Sequence, residues 1–229
     1  MAIFCIADLH LSLSVSKPMD IFKGWENYVE KLEKNWKNTV SDDDTVVIAG
    51  DISWAIRLED AYEDFKFLNE LPGKKIILRG NHDYWWSTAT KVRKFFAENK
   101  FDNLSVLFNC AVECEGKWLC GTRGWINNSD EDKNIKILNR EIHRFNMSVS
   151  EIKPDGKEIV AFMHYPPIYN GTECEEIINI MIEKNIKKCY YGHIHGIDAA
   201  KRAVIGNYKD IDFHLVSCDY AGFCPVLVV

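Results

Sequence analysis

The chain has 229 residues, a formal net charge of −6 and eight cysteines. This length allows one substantial hydrophobic core, and no linker-like or low-complexity stretch divides it, so we expect a single domain over residues 1–229. The acidic balance argues against long duplex nucleic acid as a partner. It does not exclude an anionic substrate, because bound cations would reverse the local sign of the charge.

The amino-terminal segment is apolar but does not resemble a targeting signal. Residues 1–7 lack a basic region and run directly into Asp8, which predicts a first strand instead. No apolar run approaches the roughly 20 residues that are needed to cross a bilayer. We therefore expect a cytoplasmic protein without membrane contact, whose cysteines are reduced thiols that pack as small apolar residues.

Short apolar runs rich in β-branched residues predict strands that are buried on both faces. They cover residues 3–7, 45–49, 75–78, 159–163 and 188–191. Apolar stripes at helical spacing lie between them, over residues 25–36, 58–68, 135–145 and 177–182. Three runs between residues 106 and 121 predict antiparallel strands around a hairpin, and the carboxyl-terminal tail predicts two more strands. The pattern is typical of an α/β fold in which helices cover mixed sheets.

Five of the seven histidines lie in short polar motifs that follow these strands. The motifs are Asp8-Leu9-His10, Gly50-Asp51, Gly80-Asn81-His82-Asp83, His164-Tyr165-Pro166-Pro167 and Gly192-His193-Ile194-His195. Sites in open α/β sheets gather outside the carboxyl ends of strands, so a fold could bring these motifs together. Mixed imidazole and carboxylate donors indicate a site for two divalent ions, and they suit Mn, Fe or Zn better than Mg or Ca.

In this order and spacing, the five motifs resemble those of the calcineurin-like metallophosphoesterase superfamily, and the match extends from Asp8 to His195. The resemblance implies a four-layer α/β/β/α sandwich of two mixed sheets. It also implies a dinuclear metal site at the carboxyl-terminal ends of the strands.

The resemblance further implies a role for each matched residue. One ion would be held by Asp8, His10, Asp51 and His195, and the other by Asp51, Asn81, His164 and His193. Asp51 would bridge the ions, and a hydroxide between them would be the nucleophile. His82 is expected to act as general acid for the leaving oxygen or to donate a hydrogen bond to the phosphate.

One departure separates the chain from the protein Ser/Thr phosphatase branch of that superfamily. Trp54 and Ala55 stand where that branch keeps an Asp that supports the catalytic histidine and an Arg that holds phosphate. Support for His82 must therefore come from another residue, and a protein-phosphatase activity is disfavoured.

Phosphate binding could instead involve Arg123, which lies in a glycine-flanked loop, or Arg79, with Asn81 close by. Surface arginines are the alternative interpretation of both. Four tryptophans occur near the motifs, and they either wall a pocket for a flat group or pack in the core. They are Trp54, Trp85, Trp86 and Trp125.

Two further polar residues have ordinary structural interpretations. Asp83 is expected to cap the helix that runs through residues 91–96, although orienting a nearby ring is an alternative. His143 is expected on a solvated helix face.

These features predict a hydrolase of small phosphate mono- or diesters. A fold retained as a non-catalytic interaction scaffold is one alternative, and a single-strand nuclease of the same superfamily is another.

Overall fold

The structure is a computed structural model that describes residues 1–125 and 131–229, with only the backbone described for 131–134. Its first half contains β1 (Ile3–Ile6), α1 (Tyr28–Thr39), β2 (Thr45–Ile48), α2 (Tyr62–Glu70), β3 (Lys74–Ile77), α3 (Ala89–Glu98) and β4 (Leu104–Val106). The second half contains β5 (Val112–Cys114), β6 (Lys117–Thr122), α4 (Glu131–Ser150), β7 (Glu158–Met163), β8 (Ile168–Tyr169), β9 (Thr172–Glu173), α5 (Glu175–Glu183), β10 (Lys188–Tyr191), α6 (Ile197–Ala200), β11 (Gly206–Tyr208), β12 (Ile211–Leu215) and β13 (Val226–Leu227).

Two large mixed sheets form the centre of the molecule. The first has the order β13-β1-β2-β3-β4, with β13 antiparallel to β1 and the other neighbours parallel. The second has the order β11-β12-β10-β7-β6-β5, in which the two edge strands are antiparallel to their neighbours. The mixed sheets predicted from the sequence are confirmed.

The alternation of side chains along each strand produces the layers. In the first sheet, Cys5 and Val47 belong to a core between the sheets, whereas Ile6 and Ile48 face the core beneath α1, α2 and α3. In the second sheet, Phe162 faces the other sheet, while its neighbours along β7 pack towards α4 and α5. Two sheets face to face with helices outside them make the predicted four-layer α/β/β/α sandwich.

The apolar run at residues 106–108 does not join the hairpin as the sequence analysis predicted. The strand there, β4, pairs in parallel with β3, with Ile77 opposite Val106. Helix α3 connects the two strands, and a crossover of this kind returns the chain to the same sheet in parallel. Only β5 and β6 form the antiparallel hairpin.

The cysteines, His143 and the helices can be compared with three further expectations from the sequence. All eight cysteines are free, and His143 is exposed on α4 as predicted. Within the described residues, no helix is both long enough and apolar enough to cross a membrane.

Candidate metal centre

One cluster of possible ligands forms where the chain leaves β1 and β10. The ligand atoms of Asp8, His10 and His195 all lie within 4.8 Å of one another. The Nε2 atoms of His10 and His195 are 3.3 Å apart, and Asp8 Oδ1 is 3.5 Å from His195 Nε2. Donors at about 2.0–2.1 Å from a tetrahedral ion stand about 3.4 Å from each other. The donors of this cluster are therefore close enough together to hold one metal ion.

A second cluster forms beyond β2, β3, β7 and β10. It contains Asp51, His164 and His193, whose ligand atoms also lie within 4.8 Å of one another. His164 Nε2 is 3.4 Å from Asp51 Oδ2 and 2.6 Å from Asn81 Oδ1. The structure thus brings together in two groups all seven residues that the motifs singled out as ligands.

Asp51 lies between the two clusters. Its Oδ2 atom is 3.4 Å from His164 Nε2 in one cluster and 3.9 Å from His10 Nε2 in the other. Its Oδ1 atom accepts the backbone N–H of His82 at 2.7 Å. This hydrogen bond fixes the carboxylate so that a single oxygen is directed towards both groups.

Two imidazoles are held so that Nε2 is free to act as a donor to a metal. His164 Nδ1 is 3.1 Å from the carbonyl oxygen of Ala49, and His195 Nδ1 is 2.9 Å from Asp219 Oδ1. A carbonyl only accepts hydrogen bonds, so Nδ1 of His164 carries the proton and its Nε2 keeps a lone pair. The Asp219 carboxylate likewise accepts a hydrogen bond from Nδ1 of His195, so Nε2 of that ring faces the cluster.

Asp219 was not identified from the sequence. A signal for it existed, because it follows the predicted strand at residues 213–217 just as the motif residues follow theirs. It has no histidine beside it, and only the fold shows that it meets His195.

Four residues of the candidate centre have a left-handed backbone conformation. Asp8, His10, Asp51 and His193 have φ values of 61°, 48°, 52° and 71°. The left-handed region costs a non-glycine residue about 1–2 kcal/mol, so four such residues together are a concentration of strain. Strain of this kind collects at functional sites, where it directs side chains that regular strands would point elsewhere.

Two motif glycines leave the room that the carboxylates occupy. A Cβ atom added at Gly80 would overlap the Asp51 carboxylate, and one added at Gly192 would overlap the Asp8 carboxylate. Both glycines are therefore required by close approach rather than by the turn alone.

Asp83 does not cap a helix, contrary to the expectation above. The cap of α3 is Thr88, whose side chain accepts the N–H of Lys91. The Asp83 carboxylate is fully buried and accepts backbone N–H groups from Asp51, Ile52 and Gly80 at 2.7–3.0 Å. It ties together the two loops that carry Asp51 and Asn81.

The electrostatics of the centre fit divalent cations. Burial lowers the pKa of His10 and of His164 to about 3 and that of His193 to about 4, so their imidazoles are neutral at pH 7. Burial, with Asp83 and Asp8 nearby, raises the pKa of Asp51 well above its usual value. Asp8 Oδ1 is buried without a hydrogen-bond partner. Buried carboxylates of this kind require compensating charge, which bound cations supply.

His82 stands beside the clusters rather than in them. Its Nδ1 atom is 3.3 Å from Tyr84 Oη, and its ring lies 4.6 Å from that of Trp54, centroid to centroid. Burial and the nearby Lys17 lower the pKa of His82 below its usual value. The Tyr84 hydroxyl is thus a side-chain partner of the His82 ring at Nδ1.

Three of the tryptophans near the motifs, Trp54, Trp85 and Trp86, pack against other side chains. The Trp54 ring stacks on the His10 ring, with 4.7 Å between the ring centroids. Lys17 Nζ lies 3.7 Å from the centroid of the Trp54 ring. Trp85 and Trp86 are buried in the core beneath the helices.

Neither candidate phosphate-binding arginine is an ordinary surface residue. Arg123 Nη2 is 3.6 Å from the buried carboxylate of Glu141, and its guanidinium lies 5.9 Å from the ring of Tyr165. That ring packs against His193 at 4.2 Å, so Arg123 is one side chain away from the second cluster. Arg79 has a buried Nε atom without a hydrogen-bond partner.

Comparison with known proteins identifies the class to which this fold and site belong. The family model for calcineurin-like phosphoesterases matches residues 1–196. The chain therefore belongs to the calcineurin-like phosphoesterase family and is a metal-dependent phosphoesterase. No curated protein gives a significant match.

Solved structures of similar fold include two that the chain covers almost completely. A phosphopantetheinyl hydrolase from Mycobacterium tuberculosis has a TM-score of 0.60 at 13% identity, with 100% of this chain and 95% of the other covered. A protein of unknown function from Aquifex aeolicus has a TM-score of 0.54 at 19% identity, with 99% and 95% covered. At these identities the likeness shows the fold.

Proposed function

We propose that the chain hydrolyses small phosphate mono- or diesters with two divalent ions, drawn from Mn, Fe and Zn. The observation that carries this proposal is the position of Asp51 Oδ2, within 4 Å of an imidazole nitrogen in each of the two clusters. One carboxylate oxygen shared in this way is the arrangement that a closely spaced ion pair needs. The hydrolase named among the structures of similar fold is consistent with the proposal.

Each cluster holds one ion in this proposal. Asp8, His10 and His195 bind the first, while Asn81, His164 and His193 bind the second, and Asp51 bridges them. When bound, the ions would supply Lewis acidity to a water molecule and positive charge against the phosphoryl oxygens. Nitrogen and oxygen donors in this mixture favour transition metals over Mg or Ca.

The protein's own proton donor for the leaving oxygen is His82 in this proposal. Tyr84 Oη lies at Nδ1 and leaves Nε2 to carry the donated proton. Trp54 packs against the ring and limits its rotation and its access to water. A proton donor placed in this way contributes most to the rate when the leaving oxygen is strongly basic.

Phosphate oxygens that the ions do not bind require other donors. The side-chain amide of Asn81 lies in the second cluster. The Arg123 guanidinium lies beside the ring of Tyr165, which packs against His193 of the same cluster. Arg79 supplies positive charge behind them. We assign these three residues to phosphate binding.

The test compares wild-type protein with Asp51→Asn after loading with Mn²⁺, Zn²⁺ or Fe²⁺. Turnover of an aryl phosphate should require metal and should fall by at least about 10³-fold in the variant, because one carboxylate serves both ions. Asp43→Asn is the matched control, since Asp43 is exposed and precedes β2, whereas Asp51 follows the opposite end of that strand. A metal-loaded wild-type protein that is inactive on mono-, di- and cyclic esters would contradict the proposal.

A further inference from the structure

A cavity of about 430 Å³ opens directly beside the candidate metal centre. His10, His82 and His195 form the part of its lining that belongs to the centre, and Met19 and Phe22 stand among its other residues. The volume lies within the range of small-molecule sites in proteins. A group bonded to phosphorus at the centre could therefore extend into this space.

Three apolar side chains, those of Met19, Phe22 and Trp25, form one part of the lining. Trp25 is buried, and its ring lies 5.9 Å from His10 and 5.7 Å from His195, centroid to centroid. Met19 is also buried, but Phe22 is 52% exposed. A large apolar side chain exposed at the rim of an apolar wall is typical of a surface that a ligand covers.

The lysines at the cavity suit the phosphate end of an ester whose organic part contacts the apolar residues. Lys23 lines the cavity, and Lys17 Nζ stands over the Trp54 ring that also lines it. The Asp219 carboxylate is in the lining too, but its two oxygens are engaged by His195 Nδ1 and the N–H of Gly196. Positive charge is therefore available at the cavity of a chain whose net charge is −6.

We infer that this cavity, which we call the leaving-group cavity, receives the organic part of the substrate, and that the preferred substrates are phosphate esters of apolar alcohols. The inference rests on the phosphoester hydrolysis proposed above. In the reaction, water forms the new P–O bond and the bond to the leaving oxygen breaks. His82, in its imidazolium form, gives a proton to that oxygen and recovers one from the attacking water, so the apolar alcohol and inorganic phosphate are released.

A series of n-alkyl monophosphates from ethyl to octyl tests the inference. The basicity of the leaving oxygen barely changes along the series, so the chemistry is constant and the chain length reports burial. Each buried methylene is worth up to about fourfold in kcat/KM. We expect at least a tenfold rise from ethyl to octyl phosphate, and a flat or falling series would overturn the inference.

Two neighbouring substitutions localise the effect. Phe22→Ala should lower kcat/KM for octyl phosphate more than for ethyl phosphate and so flatten the series. Ile21→Ala should leave the series unchanged, because Ile21 is 75% exposed and outside the lining. Thermal unfolding of both variants checks that they are folded. An unchanged slope in folded Phe22→Ala would overturn the inference.

Binding of alkylphosphonates provides a readout that does not depend on turnover. In calorimetry with metal-loaded protein, octylphosphonate should bind more tightly than ethylphosphonate and with a more negative heat-capacity change. Equal affinities and heat capacities would overturn the inference. Absence of turnover for every ester, with the binding preference intact, would instead count against the proposed hydrolysis alone.

Discussion

His195 Nδ1 lies 2.9 Å from Asp219 Oδ1, while Asp219 Oδ2 accepts the N–H of Gly196 at 2.9 Å. One carboxylate therefore holds both the ring and the backbone that follows it. Burial lowers the pKa of His195, but Asp8 and Asp219 outweigh it and raise the pKa to about 10. Asp219 directs Nε2 of His195 towards the first cluster, where a cation would replace the proton.

Removing this carboxylate should weaken one metal site. We expect Asp219→Asn to lower the affinity for the first ion by about 10–100-fold, because partners of ligating histidines typically have effects of this size. Titration calorimetry with Mn²⁺ measures it. Asp198→Asn is the control, since Asp198 is also near His195 in sequence but pairs with Lys201 at the surface. Equal affinities in wild-type protein and Asp219→Asn would show that the contact does not support metal binding.

Loss of the Tyr84 hydroxyl should lower kcat most for esters whose leaving oxygen is most basic. Tyr84→Phe removes the contact at His82 Nδ1, and the loss of one hydrogen bond should cost about fivefold to tenfold in kcat for alkyl esters. Esters of nitrophenol, which leave without a proton, should be affected less. Tyr62→Phe on α2 is the control. A uniform loss over all leaving groups would contradict a role through His82.

Gly80 should tolerate no side chain. In Gly80→Ala the new Cβ would overlap the Asp51 carboxylate, so we expect loss of metal binding and a decrease of at least about 2 kcal/mol in the free energy of unfolding. Gly116→Ala provides a comparison, because Gly116 has a positive φ but open space around it. It should lose only about 1 kcal/mol. Denaturant unfolding gives the stability of both variants, and metal analysis gives their metal content. A Gly80→Ala variant that keeps its full metal content would contradict the predicted overlap with the Asp51 carboxylate.

The buried Lys75 makes stability depend on pH. Burial lowers the pKa of this lysine to about 8, whereas the unfolded chain keeps a value near 10.5. Between these values the unfolded state binds more protons, so this lysine's contribution to the free energy of unfolding increases with pH, by up to about 1.4 kcal/mol per unit. Below pH 8 both states are protonated and the contribution is constant.

Lys75→Met tests this sign. The free energy of unfolding of the variant minus that of the wild type should be constant below pH 8 and should fall as the pH rises from 8 to 10. Urea unfolding at four pH values measures the difference. A difference that stays constant up to pH 10 would show that Lys75 remains charged in the fold.

The sequence was most informative about side chains that follow buried strands. Asp8, Asp51 and His164 each end an apolar run, and parallel strands deliver such residues to one edge. The two sheets and the grouping of the motif residues could therefore be anticipated. The left-handed backbone at these positions and the exact partners of each imidazole could not, because they depend on contacts between distant loops.

Asp83 shows why some roles could not be predicted. A helix cap was the expected role, but Thr88 performs that function. The buried Asp83 carboxylate instead accepts N–H groups from the backbone of another loop and the indole N–H of Trp85, which confirms the alternative of orienting a nearby ring. Tyr84 and Asp219 carry no motif of their own. Their roles depend on which ring the fold places against them.

The central claim is a pair of ions that share Asp51. Electron paramagnetic resonance during titration with Mn²⁺ tests it most directly. The account predicts two Mn²⁺ per chain with a spin-coupled spectrum at two equivalents, and loss of that coupling in Asp51→Asn. A single bound Mn²⁺, or two that remain magnetically independent in the wild-type protein, would contradict it.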